Sequence, residues 1–138
     1  MNRWKYIILT LPFLFLTGCA ALFAKQEYVL IDKPISEKAV FHGMIYAMPE
    51  IAQVRKVVFQ GEGKYSNFQI HVRDSKKRWK PYKKIANAIT FPHEVFVSAK
   101  TDAIKIIKPN TTGSGRIWSV EFYTIRDKPQ VEQNMDEN

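Results

Sequence analysis

Hydrophobic and polar residues alternate along the middle of the chain. Phe68, Ile70 and Val72 alternate with Gln69, His71 and Arg73. Trp118, Val120 and Phe122 alternate with Ser119, Glu121 and Tyr123. A period of two predicts half-buried β-strands. Val54–Phe59, Glu94–Ala99 and Ala103–Ile107 are short, rich in branched and aromatic residues, and bounded by turn formers, which also predicts strands. Val29–Ile31 and Val40–Tyr46 are weaker strand candidates, and Pro49–Gln53 reads as a single helical turn. Turns are expected at Gly61-Glu62-Gly63, at Asp74-Ser75-Lys76-Lys77 and at Asn110–Gly115. No stretch holds a helical period over three turns. About seven or eight short strands at ~10-residue spacing predict an all-β fold, an antiparallel β-sandwich, and exclude a helical bundle.

At 138 residues the chain fits one globular domain. Its formal net charge is +8, from 21 basic and 13 acidic side chains. Cys19 is the single cysteine, so no internal disulfide framework and no Cys-rich zinc or iron–sulfur site is expected.

The first residues carry a separate message. Arg3 and Lys5 precede the apolar stretch Tyr6–Leu16, interrupted by Thr10 and Pro12. As a helix that stretch is ~16 Å long, too short for the ~30 Å hydrocarbon core. A basic head, a short apolar core and small residues describe an export signal. Leu16-Thr17-Gly18-Cys19 resembles the lipobox of bacterial lipoproteins. The resemblance implies cleavage before Cys19, diacylglycerol on its thiol and an acyl chain such as palmitate on the new amino terminus. Two or more chains make membrane anchoring stable. Ala20 and Ala21 follow, without the aspartate that resembles an inner-membrane retention signal, which implies the outer membrane. The expected organisation is a signal peptide over 1–18, a tether over 19–26, a β-sandwich over 27–126 and a polar tail over 127–138.

Residues 54–123 resemble the discoidin (coagulation-factor type C) branch of the galactose-binding-like jelly rolls. The resemblance rests on Val54–Phe59, on the hairpin from Phe68 to Trp79, and on the closing pair Ala103–Lys108 and Arg116–Tyr123. The turn of the first hairpin, Asp74-Ser75-Lys76-Lys77, has no glycine.

The most concentrated chemistry is cationic. Arg73, Lys76, Lys77, Arg78, Lys80, Lys83 and Lys84 face one acid, Asp74, with Trp79 and Tyr82 interleaved. Such a field attracts anions at a distance and is screened by salt. On a hairpin edge, the same lysines deter edge-to-edge pairing. Trp79 is expected to be a core or half-buried residue of the hairpin, and Glu121 to pair with a neighbouring cation. His42, His71 and His93 lack metal-ligand spacing. The acids are scattered, with no nucleophile–base or paired-carboxylate pattern. Gly113-Ser114-Gly115 does not open a helix, so it is not a phosphate loop.

The expected function is therefore binding and not catalysis. A lipid-anchored module would recognise carbohydrate or an anionic envelope component, such as anionic lipid or lipopolysaccharide, through loops and a basic hairpin. Its expected ligand-binding residues are Arg73, Lys76, Arg78, Trp79, Lys80 and Tyr82. No cofactor, metal or nucleic-acid partner is expected. The alternative is a structural or accessory lipoprotein that binds a protein partner in an envelope complex and takes no small ligand.

Overall fold

The computed structural model describes residues 26–110 and 113–127. The expected signal peptide, Cys19 with the expected tether up to residue 25, and the expected tail beyond Asp127 lie outside them. Seven strands follow in order: β1 (Gln26–Leu30), β2 (Ser36–Val40), β3 (Gly43–Glu62), β4 (Phe68–Arg73), β5 (Trp79–Ile85), β6 (His93–Ile107) and β7 (Arg116–Asp127). Tyr28–Ile125 form one unit by their contacts, and Gln26, Glu27, Arg126 and Asp127 fall outside it. The expected all-β antiparallel sandwich is the fold, and no helix occurs among the described residues.

The strand order is β1-β7-β3-β6-β4-β5, with β2 on β3 off this path. Two long strands make this possible. The first part of β3 pairs with β2 and with the second part of β6, for example Tyr46 with Ile104. The second part of β3 pairs with β7 and with the first part of β6, as Val57 does with Phe122 and Val95. β4 pairs with the second part of β6 and with β5. Both long strands thus pass from one layer of the sandwich into the other.

The passage requires a change of phase. In β3 the core residues are Tyr46, Met48 and Val54, then Val57 and Phe59. In β6 they are Val95 and Val97, then Ile104 and Ile106. Each strand switches from one parity to the other. The register shifts lie between Ala47 and Ala52 and between Val54 and Lys56. An extra residue in one strand bends it and re-aims every side chain beyond it. The two layers close on Phe59 and Phe68, whose rings meet edge to face at 6.3 Å. Phe59, Phe68 and Phe122 are fully buried.

Three sequence expectations are corrected. Glu94–Ala99 and Ala103–Ile107 are one strand, β6, because Lys100-Thr101-Asp102 is a corner and not a turn. Thr101 and Asp102 are the two buried polar residues there. The Thr101 hydroxyl donates to the Arg73 carbonyl at 2.7 Å and accepts from the Ala103 amide at 3.2 Å. With its polar groups satisfied, the corner is buried without the cost of unpaired groups. Pro49–Gln53 is not a helical turn but the irregular middle of β3. Val40–Tyr46 is likewise split by the Phe41–His42 turn between β2 and β3.

Phe59→Ala or Phe68→Ala should cost about 3–5 kcal/mol, since each leaves a cavity between the layers. Phe96→Ala, at an exposed position, should stay within about 0.5 kcal/mol. Chemical denaturation of the three variants reads the difference.

Candidate functional site

The basic run folds as the β4–β5 hairpin, with β5 at the end of the strand order. Asp74 organises its turn. The Lys76 and Arg78 amides each donate to Asp74 Oδ1 at 2.9 Å. Arg78 Nε reaches Oδ2 at 3.1 Å and Lys80 Nζ lies 3.6 Å from it. Lys77 takes φ 63°, the left-handed conformation that glycine would adopt most easily. From there its ammonium reaches Asp102 at 2.6 Å. Arg73 Nε meets the other Asp102 oxygen at 2.8 Å. One buried carboxylate therefore ties the turn of the hairpin to the corner of β6.

These contacts sort the hairpin cations into two groups. Arg73, Lys77, Arg78 and Lys80 are held by Asp74 and Asp102. Lys76, Lys83, Lys84 and the neighbouring Lys100 are exposed and have no ion-pair partner among the described residues. Desolvation pushes the Asp102 carboxyl up, but hydrogen bonds from Arg73 and Lys77 outweigh it and hold the group below the usual carboxylate range. Asp74 is held low mainly by the Arg78 amide.

The six predicted ligand residues are not all brought together. Arg73, Lys80 and Tyr82 line one cleft of about 280 Å3, with Val72, Asp74, Pro81, Ser98, Ala99 and Lys100. It lies between β5 and β6, at the end of β4 and beside the Lys100 end of the β6 corner. Lys76 and Arg78 belong to the turn beside it. Trp79 is half-buried as expected, with Arg73 and Lys105 at 5.4 and 4.7 Å from its ring centre. The indole thus props two cations and does not line the cleft. Tyr82 closes part of the β6 edge: its hydroxyl accepts from the Ser98 amide at 3.3 Å and donates to the Phe96 carbonyl at 3.4 Å. Further along β5, Lys83–Ile89 and His93 line a second hollow of about 400 Å3.

Sequence reasoning missed Asp102, Ser98 and Lys100, because all three come from β6, far from the basic run in sequence. It also placed Glu121 against a cation, whereas Glu121 accepts from the Tyr123 hydroxyl at 3.0 Å. His71 was expected on a polar strand face. It is half-buried, lies 3.2 Å from the Gln69 side-chain oxygen, and has its pKa lowered by desolvation and by Lys105. Among the described residues no group of three His, Cys, Asp or Glu is placed to hold a metal.

With the geometry established, the class of protein is an all-β antiparallel sandwich with a cationic edge cleft. No protein-family model matches the chain, and no curated protein matches it. Two solved structures resemble it. A chain from Bacteroides thetaiotaomicron assigned as an α-L-fucosidase has a TM-score of 0.52 at 11% identity, covering 78% of this chain and 25% of that one. The xylan-binding module CBM86 from Roseburia intestinalis has a TM-score of 0.46 at 12% identity, covering 73% of this chain and 96% of that one. The chain thus spans about a quarter of the length of the fucosidase chain. At this identity the first likeness is one of fold.

Asp74 and Asp102 titrate lower in the folded chain than in the unfolded one. Their stabilisation is complete above the unfolded value of about 3.9 and is lost as the pH falls towards the folded values. Melting followed against pH should therefore show an acid limb in that window, and Asp102→Asn should flatten it relative to wild type.

Proposed function

We propose that this protein is a lipid-anchored binding module that takes an acidic glycan of the cell envelope into the β5–β6 edge cleft. The observation that carries the reading is the division of labour among its cations. Asp74 and Asp102 fix Arg73 and Lys80 at the cleft wall, while Lys83, Lys84 and Lys100 stand nearby with charge to spare. Fixed guanidinium and ammonium groups recognise carboxylates or phosphates at a defined place. The spare lysines add a field that raises the encounter rate and fades with salt. Tyr82 and Pro81 offer the apolar surface that a sugar ring needs beside its charge.

The anchor in this reading is the acylated Cys19, holding the sandwich at the outer membrane. It rests on the export signal and the lipobox-like Leu16–Cys19. No catalytic role is assigned, since binding needs only the cleft and the field around it.

Two measurements test the reading separately. Binding of polygalacturonate and of purified lipopolysaccharide should weaken steeply with added salt, and charge reversal at Lys83, Lys84 and Lys100 together should abolish it. No binding to either at low salt, or binding indifferent to the reversal, would reject the site. For the anchor, labelled palmitate should enter the wild-type chain and not Cys19→Ser. A mature chain retaining residues 1–18 would reject it.

A further inference from the structure

The outward face of the layer built from β1, β7, β3 and β6 carries a cluster that the cleft does not use. In register across the strands, Tyr123, Lys56 and Phe96 form one row, and Glu121, Val58 and Glu94 form the next. The Tyr28 ring from β1 lies 5.9 Å from the Phe96 ring at a tilt of 50°. Phe96 is 61% exposed and Tyr28 39%. Phe96 is out of phase with its own strand, because Val95 and Val97 fill the core while Phe96 faces water with Glu94 and Ser98. A phenyl ring left this exposed gains little from folding, since the gain scales with the apolar area removed from water.

Polar groups are fixed around these rings. Lys56 Nζ lies 4.7 and 4.5 Å from the ring centres of Tyr28 and Tyr123, and 3.3 Å from Glu94. The Tyr123 hydroxyl donates to Glu121. Arg55 is spent on the Ser98 hydroxyl at 2.8 Å. Two carboxylates thus flank the rings, each with lone pairs left to accept further hydrogen bonds.

We propose that this face is a second ligand site, for an uncharged pyranose unit. Its rings and carboxylates do not line the cleft, so the proposal does not depend on the acidic-glycan reading. A pyranose has a face of C–H bonds with partial positive charge, which suits the negative face of an aromatic ring. Its hydroxyls project from the rim as donors, and bonds to ionised acceptors such as Glu94 and Glu121 are the stronger kind. Lys56 and Arg55 balance the two carboxylates, so this face offers no net charge to draw an anionic ligand. The two exposed rings, Tyr28 and Phe96, among four charged side chains also make a small apolar patch beside the area that a stable protein interface buries.

The test is affinity electrophoresis of the full chain, purified in detergent, through gels containing soluble arabinoxylan, galactomannan or mixed-linkage β-glucan. We expect retardation by at least one of them, little changed by salt. Phe96→Ala should weaken it about tenfold, as loss of a central aromatic contact does. Tyr28→Ala should also weaken it, and Phe96→Tyr should preserve it. Charge reversal at Lys83, Lys84 and Lys100 should leave it intact, and Phe96→Ala should leave polygalacturonate binding intact. Absence of retardation by all three polysaccharides would overturn the proposal. So would retardation unchanged by both alanine variants, or a protein crosslinked through position 96 in membranes by a chain that binds none of the sugars.

Discussion

The carboxylate of Asp102 is the constraint on which the rest of the structure depends. It sits where β6 leaves one layer of the sandwich and enters the other. A strand corner exposes backbone groups and breaks the alternation of side chains, so something must satisfy the polar atoms there. Thr101 satisfies them locally, and Asp102 reaches out to Arg73 and Lys77 across the hairpin turn. An isolated buried charge would be very costly, and two hydrogen-bonded cations offset that cost. The corner and the hairpin therefore hold each other in place.

The geometry of the cleft follows from this clamp. With Arg73 pinned, the wall of the cleft is fixed, and Tyr82 spans from β5 to the backbone of β6. A hairpin crowded with like charges would otherwise splay, because each lysine repels the next and water screens them only partly. Placing two acids beneath the turn leaves the outer lysines as the free field. The aromatic face on the other layer has the opposite character: its lysine sits against two tyrosine rings and the Glu94 carboxylate. One small domain thus presents a cationic edge and a surface on which charge is balanced.

The all-β class and the inward residues of β4 were legible in the sequence, because Phe68, Ile70 and Val72 alternate without interruption and the structure buries all three. The long strands were not legible as single elements. Lys100-Thr101-Asp102 has the composition of a turn, and only the distant partners Arg73 and Lys77 make it a buried corner. β5 carries Pro81 and three lysines, so its own propensity argues against a strand; its place at the edge of the sheet tolerates both. The basic hairpin was visible as a cluster of charge, but not its division into fixed and free cations, since pairing depends on β6. The aromatic face did leave a trace: in Glu94–Ala99 a phenylalanine occupies the polar phase of an alternating strand.

Hydrogen exchange of backbone amides in wild type and Asp102→Asn measures the clamp most directly. If the carboxylate ties corner to hairpin, the amides of Lys76, Lys77, Arg78 and Ala103 should lose protection in the variant while those of Val57 and Phe122 keep theirs. Equal protection at all of these amides in the two proteins would contradict the account.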